Sequence, residues 1–594
     1  MAPSRPQLTG TFGMVASTHW LATAAGMAEL EQGGNAIDAA VAAGFALHVV
    51  QPHLNGPGGD LPLIFARAND PAPTVLCGQG PAPARATIAA YRDLGFDLVP
   101  GAGPLAAAVP GAVVAWLALL RDHGTRRVAD VLTYAIDYAE RGHTISRGVA
   151  GAIRRVESLF REDWTTSAEV YLPAPEPGDM FRNVALGRTY RRLVEAEAGG
   201  SAPGRQTGID AAIRAWREGF VAEAIDEFAR RPFLHPGYGR HPGVITGQDI
   251  SSFTPTYEPS ASHRFRDVVV HKTQAWGQGP VLLQQLAILD GFADAELDES
   301  TVDGLHTIVE AAKLAFADRE AWYGDAQEPP LAALLAPEYT AARRALIADR
   351  ASLELRPGSP QGRAPRLPAH IRTHAAADVT RAGQSIAGLG EPTVDTNRAY
   401  HGDTCHLDVV DRWGTMVSAT PSGGWLHSSP VVAALGFPLG SRLQMCWLEA
   451  GLPASLVPGR RPRTTLSPTL VYRDGLPVLS LGTPGGDQQD QWQLSLLLSH
   501  LVRRIPLQQA IEAPKWHSTA FPSSFHPRET YPGQFVVEDR VAAEVVDGLR
   551  RRGHEVVVTD GWSLGRLSAV SRDPATGLLQ AAADVRDQGY AAGR

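Results

Sequence analysis

The 594-residue sequence holds only three cysteines, Cys77, Cys405 and Cys446, too few for a disulfide framework and without the paired spacing of a zinc site. Basic charge is not in excess either: 54 Lys and Arg against 62 Asp and Glu give a formal charge of −8, which leaves no footprint for a nucleic acid. Long apolar runs are missing. The most apolar stretch, Ala39–Val50, falls well short of the roughly 20 residues that span a bilayer, so no membrane partner is expected. The N-terminal MAPSRPQLTG has no apolar signal core, and the expected compartment is the cytoplasm. The Ala- and Arg-rich composition fits a high-GC bacterium. With 44% apolar and 20% charged residues the chain is not charge-rich disorder. What is left is a globular protein, expected to use neither metal nor cofactor. Its length allows about four domains at roughly 150 residues each, or one large domain.

Local patterns divide the chain near residue 400. Before it helices dominate: two in Leu21–Val50, separated by Gly33-Gly34, then Ala112–Leu120, Val128–Arg141, Ala211–Ala229 and Thr307–Trp322, with Leu61–Ala66 as a short buried strand. Strands are expected to be sparse in this half. About 350–403 is rich in Ala, Pro, Gly and Arg with little periodicity and reads as a mobile linker. Afterwards the pattern turns to β. Thr404–Asp411 and Thr415–Thr420 flank a tight turn, while Thr469–Arg473 and Val478–Gly482 flank Asp474-Gly475, a strong hairpin dipeptide. A helix follows over Gln489–Val502, then strands near Phe535–Glu538, Glu555–Val558 and Ser568–Arg572.

The densest reactive cluster is His401-Gly402-Asp403-Thr404-Cys405-His406. Strand alternation sends Cys405 and His406 to opposite faces, and no CxxC or HExxH partner exists, so a metal site is disfavoured. Cys405 as a thiol nucleophile competes with the commoner fate of a small buried strand residue. A third reading makes Thr404 a new N-terminus. A threonine hydroxyl needs a base, and a free α-amine on the same residue, with a pKa near roughly 7.7–8.0, can take its proton. That requires backbone cleavage between Asp403 and Thr404. Gly485-Gly486, after a strand, lets backbone N–H groups approach a ligand as an oxyanion hole demands, and Thr464-Thr465 offers two hydroxyl donors.

Several blocks together resemble the γ-glutamyltranspeptidase family, in order along the whole chain: GMVASTHWLATAAGMAELEQGGNAIDAAVAAG, QPHLNGPGGD, AVPGAVVAW, LHTIVEAAKLAFADREAWYGD, GDTCHLDVVD, RPRTTLSPTLV and GTPGGDQQD. The resemblance implies a four-layer αββα sandwich of the N-terminal-nucleophile hydrolase type (α/β, or α+β). It also implies a proenzyme that cuts itself into a large subunit, 1–403, and a small one, 404–594, interleaved as one domain. On this resemblance Thr404 is the nucleophile, Gly485 and Gly486 form the oxyanion hole, and Ser422 supports the α-amine. Thr464 and Thr465 would hold the substrate carboxylate.

Two departures set this chain apart. Gln79 stands where the family has a carboxylate-clamping arginine, and Arg442 and Met445 stand near positions where it has residues that hold an α-ammonium. Arg442 and His427 would suit an anionic acyl group without an α-amine, although either also reads as an ordinary structural residue. The expected function is therefore a self-processing threonine hydrolase or acyltransferase acting through an acyl-enzyme on a small amide of non-standard acyl specificity. The alternatives are hydrolytic C–C cleavage of a keto-acid-like intermediate in bacterial alkylproline-type metabolism, and an inactive binding homologue. The partners expected are a small-molecule substrate and the chain's own second subunit, and a homo-oligomer is compatible with the sequence.

Overall fold

Two seven-stranded sheets, packed face to face, form the middle of the computed structural model, which describes residues 4–199, 204–326, 329–374, 391–392, 401–402 and 404–594. Fourteen strands build them: β1 (Leu8–Gly10), β2 (Gly13–Ser17), β3 (Leu61–Ala66), β4 (Thr74–Gly78), β5 (Thr256–Pro259), β6 (Ala261–Phe265), β7 (Val268–Lys272), β8 (Leu407–Asp411), β9 (Met416–Ala419), β10 (Thr469–Arg473), β11 (Leu476–Gly482), β12 (Ser568–Arg572), β13 (Leu579–Ala583) and β14 (Tyr590–Gly593). The first sheet runs β14-β2-β8-β9-β3-β4-β5 and the second β1-β13-β12-β11-β10-β7-β6. Seven of the fourteen strands precede residue 404, so the first half is richer in strand than its sequence suggests.

Burial on both faces explains the strand sequences. All five residues of β8, Leu-Asp-Val-Val-Asp, are buried. Leu407 and Val409 join the core under the helices, while Val410 joins Met14, Ile64, Leu470 and Tyr472 in the layer between the sheets. Helices α1 (Trp20–Glu31), α2 (Ala36–Val50) and α3 (Ala112–His123) cover the first sheet. A further helix, α4 (Arg147–Arg155), belongs to a smaller core beside them. The second sheet is covered by α5 (Pro280–Leu289), α6 (Val302–Trp322) and α7 (Gln489–Leu497). The result is the four-layer αββα sandwich.

Every residue of α2 is buried, which its Ala-rich sequence permits because small side chains let neighbouring helices approach closely. Asn35 caps it, and Asp38 completes a capping box. The buried Asp38 carboxylate also accepts from Thr125 N at 2.8 Å and Arg126 N at 2.9 Å, so it is fully matched.

Some elements differ from expectation. Val128–Arg141 is two helices, Val128–Val131 and Thr133–Glu140, and Ala211–Ala229 is divided at Gly219 between Arg205–Arg217 and Phe220–Ala229. The end of the Gln489–Val502 helix widens into a π-turn over Leu498–Val502. The part of the expected linker before residue 375 is aperiodic but anchored: Gly358 N donates to Asp318 at 2.6 Å, and Ala351 N to Arg552 O at 2.8 Å. Residues 375–390, 393–400 and Asp403 lie outside the described residues. No helix among the described residues is long and apolar enough to cross a membrane.

Gly44 in α2 lies against Trp116 of α3, where an added Cβ would fall 2.4 Å from the indole. Gly44→Ala should lower stability despite a gain of about 1 kcal/mol in helix propensity, because overpacking a dense core costs about 1–3 kcal/mol. Chemical denaturation reads this directly, and a variant as stable as the parent would show that the two helices can part freely.

Candidate active site

The ends of several central strands converge. Thr404 precedes β8, Ser422 follows β9 and Asp60 precedes β3. Thr404 is fully buried, pairs with Ser422 in an isolated antiparallel bridge, and its Oγ donates to Ser422 Oγ at 3.3 Å. Ser422 in turn exchanges backbone hydrogen bonds with Asp60, at 3.1 and 2.9 Å. Three chain segments far apart in sequence therefore lie side by side.

The second sheet supplies the glycine turn. His406 is packed so closely on Gly482 that a Cβ there would lie 2.2 Å from its ring. Ser480 Oγ donates to Asp408 Oδ1 at 2.6 Å. Asp408 is thus level with Ser480 and His406 with Gly482. The start of β8 and the end of β11 therefore share one end of the sandwich, with Thr404 three residues before the one and Gly485 three residues after the other. Gly485 and Gly486 have φ of 128° and 53°, a backbone that favours glycine, and a Cβ on Gly485 would meet Trp492 at 2.2 Å.

Behind Thr404 the interior is polar. His406 Nδ1 lies 2.9 Å from Thr420 Oγ1 and its Nε2 lies 3.0 Å from Asp408 Oδ2, which also accepts from Ser568 Oγ at 2.8 Å. Cys405 points the other way, donating to Gln51 Oε1 and accepting from Asn55 Nδ2, both at 3.1 Å. Burial pushes its thiol far up, as expected of a structural cysteine. Beyond the glycines, Asp487 is ion-paired with buried Arg319 and accepts from Ser524 N at 2.8 Å. Burial opposes its charge, but Arg319 and the Ser524 hydrogen bonds outweigh that and hold it below the ordinary carboxylate range.

The candidate substrate groups line one side. Thr464 and Thr465 are buried, and Thr464 N donates to Trp276 O at 3.1 Å. Gln79 follows β4 and is 1% exposed. Neither of its amide atoms has a partner of good hydrogen-bond geometry, although Asp60 is beside it. Arg442 is no surface cation: it is buried, and its Nε and Nη2 donate to Asp60 Oδ2 and Oδ1 at 2.7 and 3.2 Å. Burial raises the Asp60 pKa and Arg442 opposes the rise. His427 is buried a few residues beyond, stacked on Trp425. Among the described residues one set, His306, Glu310 and His554, has ligand atoms within 4.8 Å of one another. Its Glu310 is already paired with Lys313 and Arg356, an unfavourable setting for a further cation. Asp60 had stood in the motif QPHLNGPGGD, but nothing local marks it as the partner of a residue 382 positions away.

A family model described as gamma-glutamyltranspeptidase matches residues 22–594. The chain belongs to this family. The solved structure of LmbA2991HD is similar to it with 54% identity and a TM-score of 0.94, covering all of both chains. A cephalosporin acylase from Bacillus halodurans has 26% identity and a TM-score of 0.82, over 100% of this chain and 97% of that one. The oxamate amidohydrolase proenzyme of Klebsiella pneumoniae subsp. pneumoniae is 31% identical over 606 residues, 98% of each chain. Membership in a family that includes acylase and amidohydrolase proenzymes fits a self-processing hydrolase or acyltransferase of the N-terminal-nucleophile type.

Arg442→Met should cost about 3–5 kcal/mol at neutral pH by leaving Asp60 charged and unpaired in the interior. The Asp60 pKa, already raised in the folded state, rises further without Arg442, so the folded form takes up its proton before the unfolded form does. The deficit relative to the parent should therefore shrink as pH falls toward the carboxylate range. Denaturation across pH tests this, and a pH-independent deficit would mean that Arg442 acts through packing instead.

Proposed function

We propose that the protein cuts its own backbone between Asp403 and Thr404 and then works as a threonine hydrolase or acyltransferase composed of residues 1–403 and 404–594. The observation that carries this reading is the convergence of Thr404, Ser422 and the Gly485-Gly486 turn at the shared end of the two sheets. The freed α-amine of Thr404 takes the proton of Oγ, and Oγ attacks a carbonyl carbon. The oxyanion is met by the amides of Gly485 and Gly486, while Ser422 orients the threonine. Collapse of the intermediate expels the leaving fragment, which receives the proton, and water or an amine resolves the acyl-enzyme.

The acyl group that best fits is small, anionic and without an α-amine. Thr464 and Thr465 can donate to a carboxylate, Gln79 offers a neutral amide, and Arg442 and His427 stand on the surrounding wall. An α-ammonium would find Asp60, but both oxygens of that carboxylate are engaged by Arg442. Oxamate, named for the amidohydrolase relative, supplies such an acyl unit: a carboxylate beside the reacting carbonyl and no α-amine. The same machinery could cleave a C–C bond next to a ketone, releasing a diacid without an amine.

Denaturing electrophoresis should show two bands, the smaller beginning Thr-Cys-His, and Thr404→Ala should give one. The mature protein should release oxalate and ammonia from oxamate at a kcat/KM about 10–100-fold above that for a γ-glutamyl anilide, the ratio set by burying an unmatched ammonium. Oxalate release from a vinylogous keto acid, but not from oxamate, would favour C–C cleavage. A single full-length band that Thr404→Ala leaves unchanged would refute the self-processing reading.

A further inference from the structure

Three chain segments that carry or adjoin the proposed acyl site are joined to one another. Thr464-Thr465 precedes β10, the Gly485-Gly486 turn precedes α7, and β7 runs into residues 273–279 before α5. Gly277 forms a parallel bridge with Thr464, and Thr464 N donates to Trp276 O, so the third segment lies against the hydroxyl pair.

Side chains tie the three together at one buried junction. Ser467, two positions after Thr465, donates from its Oγ to Asp490 Oδ1 at 2.6 Å and from its N to Gln489 Oε1 at 3.1 Å. Lys272 Nζ, at the end of β7, donates to Ser467 O at 3.0 Å and to Thr469 Oγ1 at 2.6 Å, and lies 3.2 Å from Asp490 Oδ1. Gln278 Nε2 donates to Asp490 Oδ2 at 2.9 Å and to Asp487 O at 3.2 Å, while its Oε1 accepts from Arg319. Gly279 leaves room for the lysine stem, since a Cβ there would stand 3.0 Å from Lys272 Cε.

The side chains of Lys272 and Asp490 are both 0% exposed. Burial draws the Lys272 pKa down to about 8 against the pull of Asp490, and burial likewise raises that of Asp490 against the pull of Lys272. A pair so fully removed from water adds little net stability, because desolvation offsets the attraction. It does add direction. Its hydrogen bonds run from the loop that carries the hydroxyls to the loop that carries the glycines, a fixed link that apolar packing does not supply.

We propose that Lys272 and Asp490, with Ser467 and Gln278, are positioning residues that set the span from the Gly485-Gly486 amides to the Thr464-Thr465 hydroxyls, and so select acyl groups by the distance between reacting carbonyl and carboxylate. This rests on the reading in which the glycines meet the oxyanion and the threonines hold a carboxylate. On that reading the span suits a carboxylate directly beside the carbonyl, as in oxamate, and not one two methylenes away, as in succinamate.

Binding and turnover test the span separately. In calorimetry with the purified protein, oxalate should bind about 10-fold or more tightly than succinate, the difference expected from charge-assisted hydrogen bonds made or lost. Lys272→Met/Asp490→Asn, which removes both charges together, should bring that ratio toward one. Ser467→Ala, which leaves the ion pair in place, should lower it less. In turnover, the kcat/KM ratio of oxamate to succinamate should fall about 10–100-fold in the double variant, as a displacement near 1 Å implies. Loss of the binding order in the variants, without turnover of either amide by the parent, would keep the positioning role and reject the hydrolytic reading. Ratios that both variants keep, with only a lower denaturation midpoint, would make the junction structural alone and overturn the proposal. A parent that binds the two diacids equally, or binds neither, would overturn it too.

Discussion

The arrangement depends on one buried carboxylate. Asp408 receives hydrogen bonds from Ser480 and Ser568 of the second sheet and lies against His406, just before its own strand, all of them shut off from solvent. Apolar packing between two sheets is non-directional and would tolerate sliding. A buried carboxylate with partners on two strands of the facing sheet does not, because a shift would leave it unmatched at a cost of several kcal/mol. The same contacts hold together the start of β8 and the end of β11, the two ends from which Thr404 and the Gly485-Gly486 turn extend.

Two more buried ion pairs extend this principle outward. Arg319 fixes Asp487 just beyond the glycine turn, and Arg442 fixes Asp60 beside Ser422. In each, one partner comes from before residue 404 and the other from after it. The sheets are interleaved likewise: β8 pairs with β2, and β9 pairs with β3. Scission before Thr404 would break one covalent bond and none of these pairings, so a processed protein would keep its fold while Thr404 gained a free amine.

Much of this was legible where the signal is local. Asp474-Gly475 marked the β10–β11 hairpin, Gly33-Gly34 marked the break between α1 and α2, and Gly485-Gly486 marked a backbone that only glycine adopts readily. Strands β4 to β7 were not legible, because they are short and lie among helical segments without a hairpin dipeptide to announce them. The helix divided at Gly219 was missed because apolar periodicity continues across the break. Arg442 could be located but not understood: its meaning lies in Asp60, and pairing across that distance leaves no trace in either neighbourhood.

Arg442 is balanced by Asp60, and beside that pair neither amide atom of Gln79 has a partner of good geometry. A ligand that satisfies both atoms of that amide gains about 1–3 kcal/mol over one that leaves them unmatched. A carboxylate or carbonyl oxygen accepts from its Nε2–H, and its Oε1 calls for a donor such as a substrate amide N–H, whereas an ammonium would compete with a guanidinium for one acid. Discrimination against glutamyl donors then comes from what they would leave unpaired as much as from what the preferred acyl group contacts.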